Sequence, residues 1–159
     1  MNDTTLVFLI KRTAGKISEV CLGMKKRRFG TGRWNGIGGK LLPGETIEPA
    51  LIREAKEEIS VDVKDLSKVA ELVFYYLHKP EWDQKVHVFL CEEWEGEPVE
   101  SEEMIPKWFA VKDIPFKDMW PDDSYWLPLV LNGELVKGTF TFTDGNTIQK
   151  HSVEAVKSL

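Results

Sequence analysis

The chain has 159 residues, 21 Lys and Arg against 26 Asp and Glu, and a formal net charge of −5. That length suits one domain with a workable core, and the acidic balance excludes a protein that grips nucleic acid polymers through a general positive surface. The apolar run Leu6-Val7-Phe8-Leu9-Ile10 is too short for a signal-peptide core or a membrane span, so no membrane association is expected.

Residues 4–11 read as a first strand and 17–24 as a second, joined at Thr13-Ala14-Gly15-Lys16 as a hairpin. Lys25-Lys26-Arg27-Arg28 follows. Lys26 and Arg27 suit a solvated strand end, whereas Lys25 and Arg28, just before a glycine-rich stretch, are the better candidates for phosphate contact. Residues 29–40, FGTGRWNGIGGK, have neither the Lys-Ser/Thr of a P-loop nor the strand-to-helix spacing of a dinucleotide fingerprint. They read as an irregular wall. In it Asn35 offers an amide donor and acceptor to a base edge, and Phe29 and Trp34 belong either to a pocket lining or to the core.

Residues 38–61, GGKLLPGETIEPALIREAKEEISV, hold the densest chemistry. After the turn at Pro43-Gly44, Thr46 is placed as an N-cap and Pro49 in the first turn of a helix running to Ile59. Glu54, Glu57 and Glu58 stand at i, i+3 and i+4, so their carboxylates share one face, with Leu51, Ile52, Ala55 and Ile59 on the adjoining one. Like charges so spaced destabilise a helix by about a few tenths of a kcal/mol. A solvated acidic face is the plain account. A hard divalent cation, Mg²⁺ or Mn²⁺, would relieve the repulsion, and the glycine turn supplies backbone carbonyls beside it. Glu45 is spaced to lock loop to helix through Arg53.

Beyond the helix, residues 66–78 and 86–94 read as strands, with His87 a surface or satisfied strand histidine. An acidic stretch around Gly96-Glu97-Pro98 is expected to be mostly solvated loop. A short strand at 108–111 and a turn at 112–116 precede a helix starting at Pro121-Asp122-Asp123-Ser124, where acids favour the helix dipole, and ending at Gly133. Strands at 136–143 and 147–151 flank a turn at Asp144-Gly145-Asn146, and the tail after Val153 is expected to be helical or frayed. Cys21 and Cys91 fall in apolar strands and read as buried free thiols of a reducing, cytoplasmic compartment. Strands on either side of an early helix, with a second helix late, give an α/β/α sandwich around a mixed sheet.

The pattern Gly39-x5-Glu45-x7-Arg53-Glu54-x-x-Glu57-Glu58 resembles the Nudix box at every fixed position. Two softer positions depart: Ala55 replaces a larger aliphatic, implying looser helix packing, and Ser60 replaces the glycine that ends the helix. The resemblance implies one Nudix domain over residues 1–159 with the α/β sandwich fold of that family. It implies Mg²⁺ held by Glu54, Glu57, Glu58, the Gly39 carbonyl and Glu103 of the acidic stretch, with Arg53 and Glu45 in support. Glu57, Glu58 and Glu103 are alternatives for the base that takes a proton from the attacking water. Residues 32–40, 99–104 and 116–126 further resemble the MutT-homologue branch that hydrolyses oxidised purine nucleoside triphosphates. That likeness assigns the base edge to Asn35, Asp122 and Asp123, stacking to Trp120, and apolar lining to Phe29 and Phe74. It implies a monomer acting on a small nucleotide, 8-oxo-dGTP or 2-hydroxy-dATP. The box alone also fits hydrolases of alkylated purine nucleotides, diadenosine polyphosphates or nucleotide sugars; the other alternative, a nucleotide binder that does not cleave, is opposed by the intact glutamates.

Overall fold

A computed structural model describes residues 1–159. β1 (Asn2–Thr13) and β2 (Lys16–Lys25) form the expected hairpin, turning at Ala14 and Gly15, both at positive φ. There follow β3 (Trp34–Asn35), helix α1 (Ile47–Ile59), β4 (Asp62–Val63), β5 (Ser67–Tyr76), β6 (Gln84–Cys91), β7 (Trp94–Glu95), β8 (Met104–Ala110), helix α2 (Asp123–Leu131), β9 (Leu135–Phe142) and β10 (Ile148–Val156).

The main sheet runs β10-β9-β5-β6-β1-β2, with β8 along the far side of β2. It is mixed: β1 with β6 and β5 with β9 are parallel, the rest antiparallel. β1 is buried on both faces, so its alternation divides the core. Leu6, Phe8 and Ile10 join Trp126, Leu127 and Val130 of α2 in one apolar cluster, while Val7 and Leu9 join Leu51, Ala55 and Ile59 of α1 in the other. Two helices on opposite faces of a mixed sheet give the α/β/α sandwich read from the sequence.

The site depends on a split in this sheet. β1 and β2 pair only near their hairpin, at Ile10–Thr13. Below that the chain at 34–40 is wedged between them: β3 pairs with β2 at Gly23 and Met24, while Ile37 and Lys40 bridge to Val7 and Thr4 of β1. At position 38 only glycine fits. A Cβ on Gly38 would lie 1.9 Å from the Thr5 carbonyl oxygen.

Several boundaries differ from expectation, each for a local reason. β8 begins at Met104, not 108, because Pro106 disguises it; an outer strand paired only with β2 tolerates proline. β10 continues to Val156, where a helical or frayed tail was expected, since an exposed edge strand carries little apolar alternation. β6 spans Gln84–Cys91, and Trp94–Glu95 pairs instead with β4 in a separate ribbon. Thr46 takes the N-cap position of α1, but its hydroxyl makes no capping bond. Ser60 ends the helix in the left-handed conformation, φ 63°, that glycine would adopt without strain. Ala55 is fully buried against the sheet. Cys21 and Cys91 are buried and free, and His87 is buried between Asp3 and Lys68, 2.9 Å from each. No helix is long and apolar enough to cross a membrane.

Candidate active site

α1 carries its acids against the glycine wedge. Arg53 is the hub. Its Nε and Nη2 donate to the two oxygens of Glu45 at 2.7 and 2.9 Å, and its Nη1 donates to Glu54 at 3.0 Å and Glu57 at 3.1 Å. Glu45 also accepts the Leu42 N–H at 2.7 Å, and the two donors, Arg53 foremost, hold its carboxyl down at about 2. The loop-to-helix lock is therefore present as the spacing required. Glu58 is buried and its Oε2 has no partner. Burial, then the neighbouring Glu54, push it up to about 9. Glu57 is exposed and held on Arg53, and no three acidic, His or Cys side chains converge as a ready ligand cluster.

These acids form one wall of a cleft of about 630 Å³ with no apolar lining. The other wall carries Lys25, Arg27, Arg28 and Glu103. Arg27 pairs with Glu103 at 2.6 Å and lowers its pKa. Arg27 is exposed just past the end of β2, as a solvated strand end requires, and its partner Glu103 immediately precedes β8; Lys26 also turns outward, to Glu100 at 2.6 Å. An orphaned buried carboxylate oxygen beside a second carboxylate, in an all-polar cleft, is a donor set that fits a hard divalent cation. The Gly39 carbonyl, expected among the ligands, accepts the Thr5 N–H at 2.9 Å and the Thr5 hydroxyl at 3.2 Å.

A second cavity, about 350 Å³, shares Lys25, Arg28, Gly38, Gly39 and Lys40 with the cleft. All seven expected substrate contacts line it: Lys25, Phe29, Asn35, Phe74, Trp120, Asp122 and Asp123. Neither aspartate makes a side-chain cap on α2. Trp126 Nε1–H donates to Asp122 at 2.9 Å and the Trp120 N–H to Asp123 at 3.1 Å. Burial raises both carboxyls, Asp122 to about 6 and Asp123 further, with the charge of Asp122 adding to the second. Burial and mutual proximity therefore favour one shared proton on the dyad, which then presents one donor and one acceptor. Asn35 Oδ1 accepts the Gly36 N–H at 2.8 Å, which orients the amide and frees its NH2 group. Trp120 carries the Arg33 guanidinium over its ring at 4.2 Å and Phe29 stacked at 5.0 Å. Sequence reasoning missed Arg33, Gln84 and Met104, which also line the cavity, as does Tyr76, where this chain departs from the family strand. Gln84 had a visible signal: it opens the period-two row Gln84, Val86, Val88, Leu90 as its one polar member.

The NUDIX domain model matches residues 2–130. The chain belongs to the NUDIX family. Among its NUDIX relatives it is 50% identical, over 88% of this chain and 89% of the other, to an oxidized purine nucleoside triphosphate hydrolase of Mus musculus. It is 45% identical, over 89% and 90%, to a protein of the same name from Danio rerio. The fold matches the crystal structure of a MutT protein from Bacillus halodurans with TM-score 0.81 at 24% identity, covering 97% of this chain and 98% of that one.

Proposed function

We propose that this NUDIX chain hydrolyses oxidised purine nucleoside triphosphates, 8-oxo-dGTP and 2-hydroxy-dATP, to the monophosphate and pyrophosphate, clearing miscoding nucleotides from the pool. The observation that carries this reading is continuity: a cavity with a carboxyl–carboxylate dyad opens through Lys25, Arg28 and Lys40 onto an acid-walled cleft. A base and its triphosphate need that sequence of environments. The mouse and zebrafish relatives bear names of the same activity over most of their length.

At the base, Asp123 donates from its protonated oxygen, Asp122 accepts, and the Asn35 NH2 group donates. Moving the shared proton between the aspartates exchanges donor for acceptor, which lets one pocket read two lesions. At the phosphates, Lys25, Arg28 and Lys40 offset negative charge. Arg53 fixes Glu54 and Glu57, so the ridge keeps its shape as charge develops. Glu54, Glu57 and Glu58, with Gly39 and Glu103 nearby, would hold Mg²⁺ (Mn²⁺ also suits), which when bound neutralises phosphate charge and acidifies a water. Of the candidate bases Glu57, Glu58 and Glu103, the last is made less basic by its pairing with Arg27. The enzyme acts as a cytoplasmic monomer on free nucleotides.

Steady-state kcat/KM for 8-oxo-dGTP, 2-hydroxy-dATP, O6-methyl-dGTP and dGTP, with products identified by mass, tests the proposal. Oxidised substrates should lead, each giving monophosphate and pyrophosphate. Equal rates on dGTP, or release of single phosphates, would remove it.

A further inference from the structure

The inward row of β6 is apolar except at its first residue. Val86, Val88 and Leu90 join the α2-side cluster, whereas Gln84 faces the base cavity. Gln84 pairs across the sheet with Phe74 of β5, and its Nε2 donates to the hydroxyl of Tyr76, next along the same face, at 3.1 Å. Tyr76 is held hard. It is 5% exposed, its ring stacks on Phe142 at 5.6 Å, and its N–H donates to Asp83 at 2.8 Å. A carboxamide has two N–H donors and a carbonyl acceptor. The chain uses one of those N–H groups. The Gln84 carbonyl and its second N–H have no partner in the protein and line the cavity. Gln84 is half-buried, so these groups remain accessible from the cavity. A pinned carboxamide with one acceptor and one donor still open points to a ligand.

We propose that Gln84, braced by Tyr76, is a specificity-determining residue that reads the oxidised imidazole edge of the base: its carbonyl accepts from N7–H and its free N–H donates to the C8 oxygen. This rests on the reading of the cavity as an oxidised-purine pocket. Oxidation at C8 turns a bare acceptor and a C–H into an adjacent N–H and C=O, the complement of a carboxamide. Asn35 comes from β3, the aspartates from α2 and Gln84 from the β5–β6 floor, so three separate elements surround the ring. A base held along one edge by the dyad still offers another edge to Gln84. 2-Hydroxyadenine has its added oxygen on the six-membered ring and no N7–H, and gains nothing from this contact.

The test is kcat/KM for 8-oxo-dGTP, 2-hydroxy-dATP and dGTP in the parent, Gln84→Met and Tyr76→Phe, with a melting temperature for each. Gln84→Met should lower the value for 8-oxo-dGTP about tenfold, the effect of one to two hydrogen bonds, and leave the other two within about twofold. Tyr76→Phe removes a single oxygen and should act in the same direction by about threefold; it keeps the test alive if Gln84→Met fails to fold. An equal fall on all three substrates would reduce Gln84 to a wall and overturn the inference. A parental preference for 8-oxo-dGTP that survives both substitutions would overturn this inference alone. A parent with no such preference would overturn the pocket reading as well.

Discussion

Asp123→Asn should make the free protein more stable, by an amount that grows with pH. Asp122 and Asp123 are 4% and 2% exposed and lie against each other; burial raises both, and the charge of Asp122 raises Asp123 further. Above about pH 4 an unfolded aspartate has released its proton. The folded chain still holds one on Asp123, so it binds more protons than the unfolded chain, and stability falls as pH rises through that window. Each pH unit costs about 1.4 kcal/mol while the dyad holds that proton. Asparagine does not titrate, yet it preserves the local bonds: its Oδ1 accepts the Trp120 N–H and its Nδ2 donates to Asp122. Allowing about 1–2 kcal/mol for imperfect replacement, the variant should overtake the parent once the pH stands about one to two units above the unfolded aspartate's pKa. For a domain of this length each further unit is worth about 3–6 °C in Tm. Calorimetry of both proteins from pH 4.5 to 7.5 checks it: the gap in Tm should open steadily from the acid end. Parallel curves, or a variant less stable at every pH, would refute the shared-proton account.

The same Asp123→Asn protein should show a changed ratio of kcat/KM for 8-oxo-dGTP and 2-hydroxy-dATP, since the proton can no longer move; an unaltered ratio in steady-state assays would exclude proton exchange as the source of dual recognition. Glu58→Gln should lower kcat by about two orders of magnitude or more, with Tm unchanged or raised, because a buried carboxyl next to Glu54 becomes a neutral amide that can donate to it; turnover at the parental rate would take Glu58 out of the reaction. Ser60→Gly relieves a left-handed serine at the end of α1, and should raise Tm by about 1–4 °C with kcat untouched, net of the added backbone freedom of glycine. Trp120→Leu should lower kcat/KM about tenfold or more on purine substrates by loss of stacking, measured against unchanged metal-dependent pyrophosphate release at saturation.

The chemistry was legible in the sequence wherever covalent spacing alone brings groups together. Glu45 and Arg53 meet because a tight turn and two helical turns separate them, and Glu54 and Glu58 meet because i and i+4 share a helix face. Arg27 against Glu103 depends on strand pairing across a long stretch of chain, and Gln84 against Tyr76 on the register of the β5–β6 pair, and nothing in either local sequence fixes that register. The wedge at 34–40 lies between these cases. Its glycines announce a close approach, but which strand approaches emerges only from the split between β1 and β2. Pro106 misled because proline argues against strands in general, while the outer position of β8 makes it harmless.

Both ends of the site use one device. Glu58 beside Glu54 at the cleft, and Asp122 beside Asp123 in the cavity, are closely placed carboxyls, and burial is what chiefly raises Glu58, Asp122 and Asp123. Each arrangement weakens the free fold, since desolvation opposes ionisation of the buried carboxyl. Each becomes favourable when a complementary group arrives: positive charge at the first, base donors and acceptors at the second. The penalty in the free state and the gain in the complex are one quantity seen from two sides, because a ligand that binds only the folded chain stabilises it. Replacing either pair by neutral isosteres should therefore raise the melting temperature of the free protein and shrink the further rise that nucleotide brings. A variant that gains the first and keeps the second in full would show that the carboxyls recognise nothing.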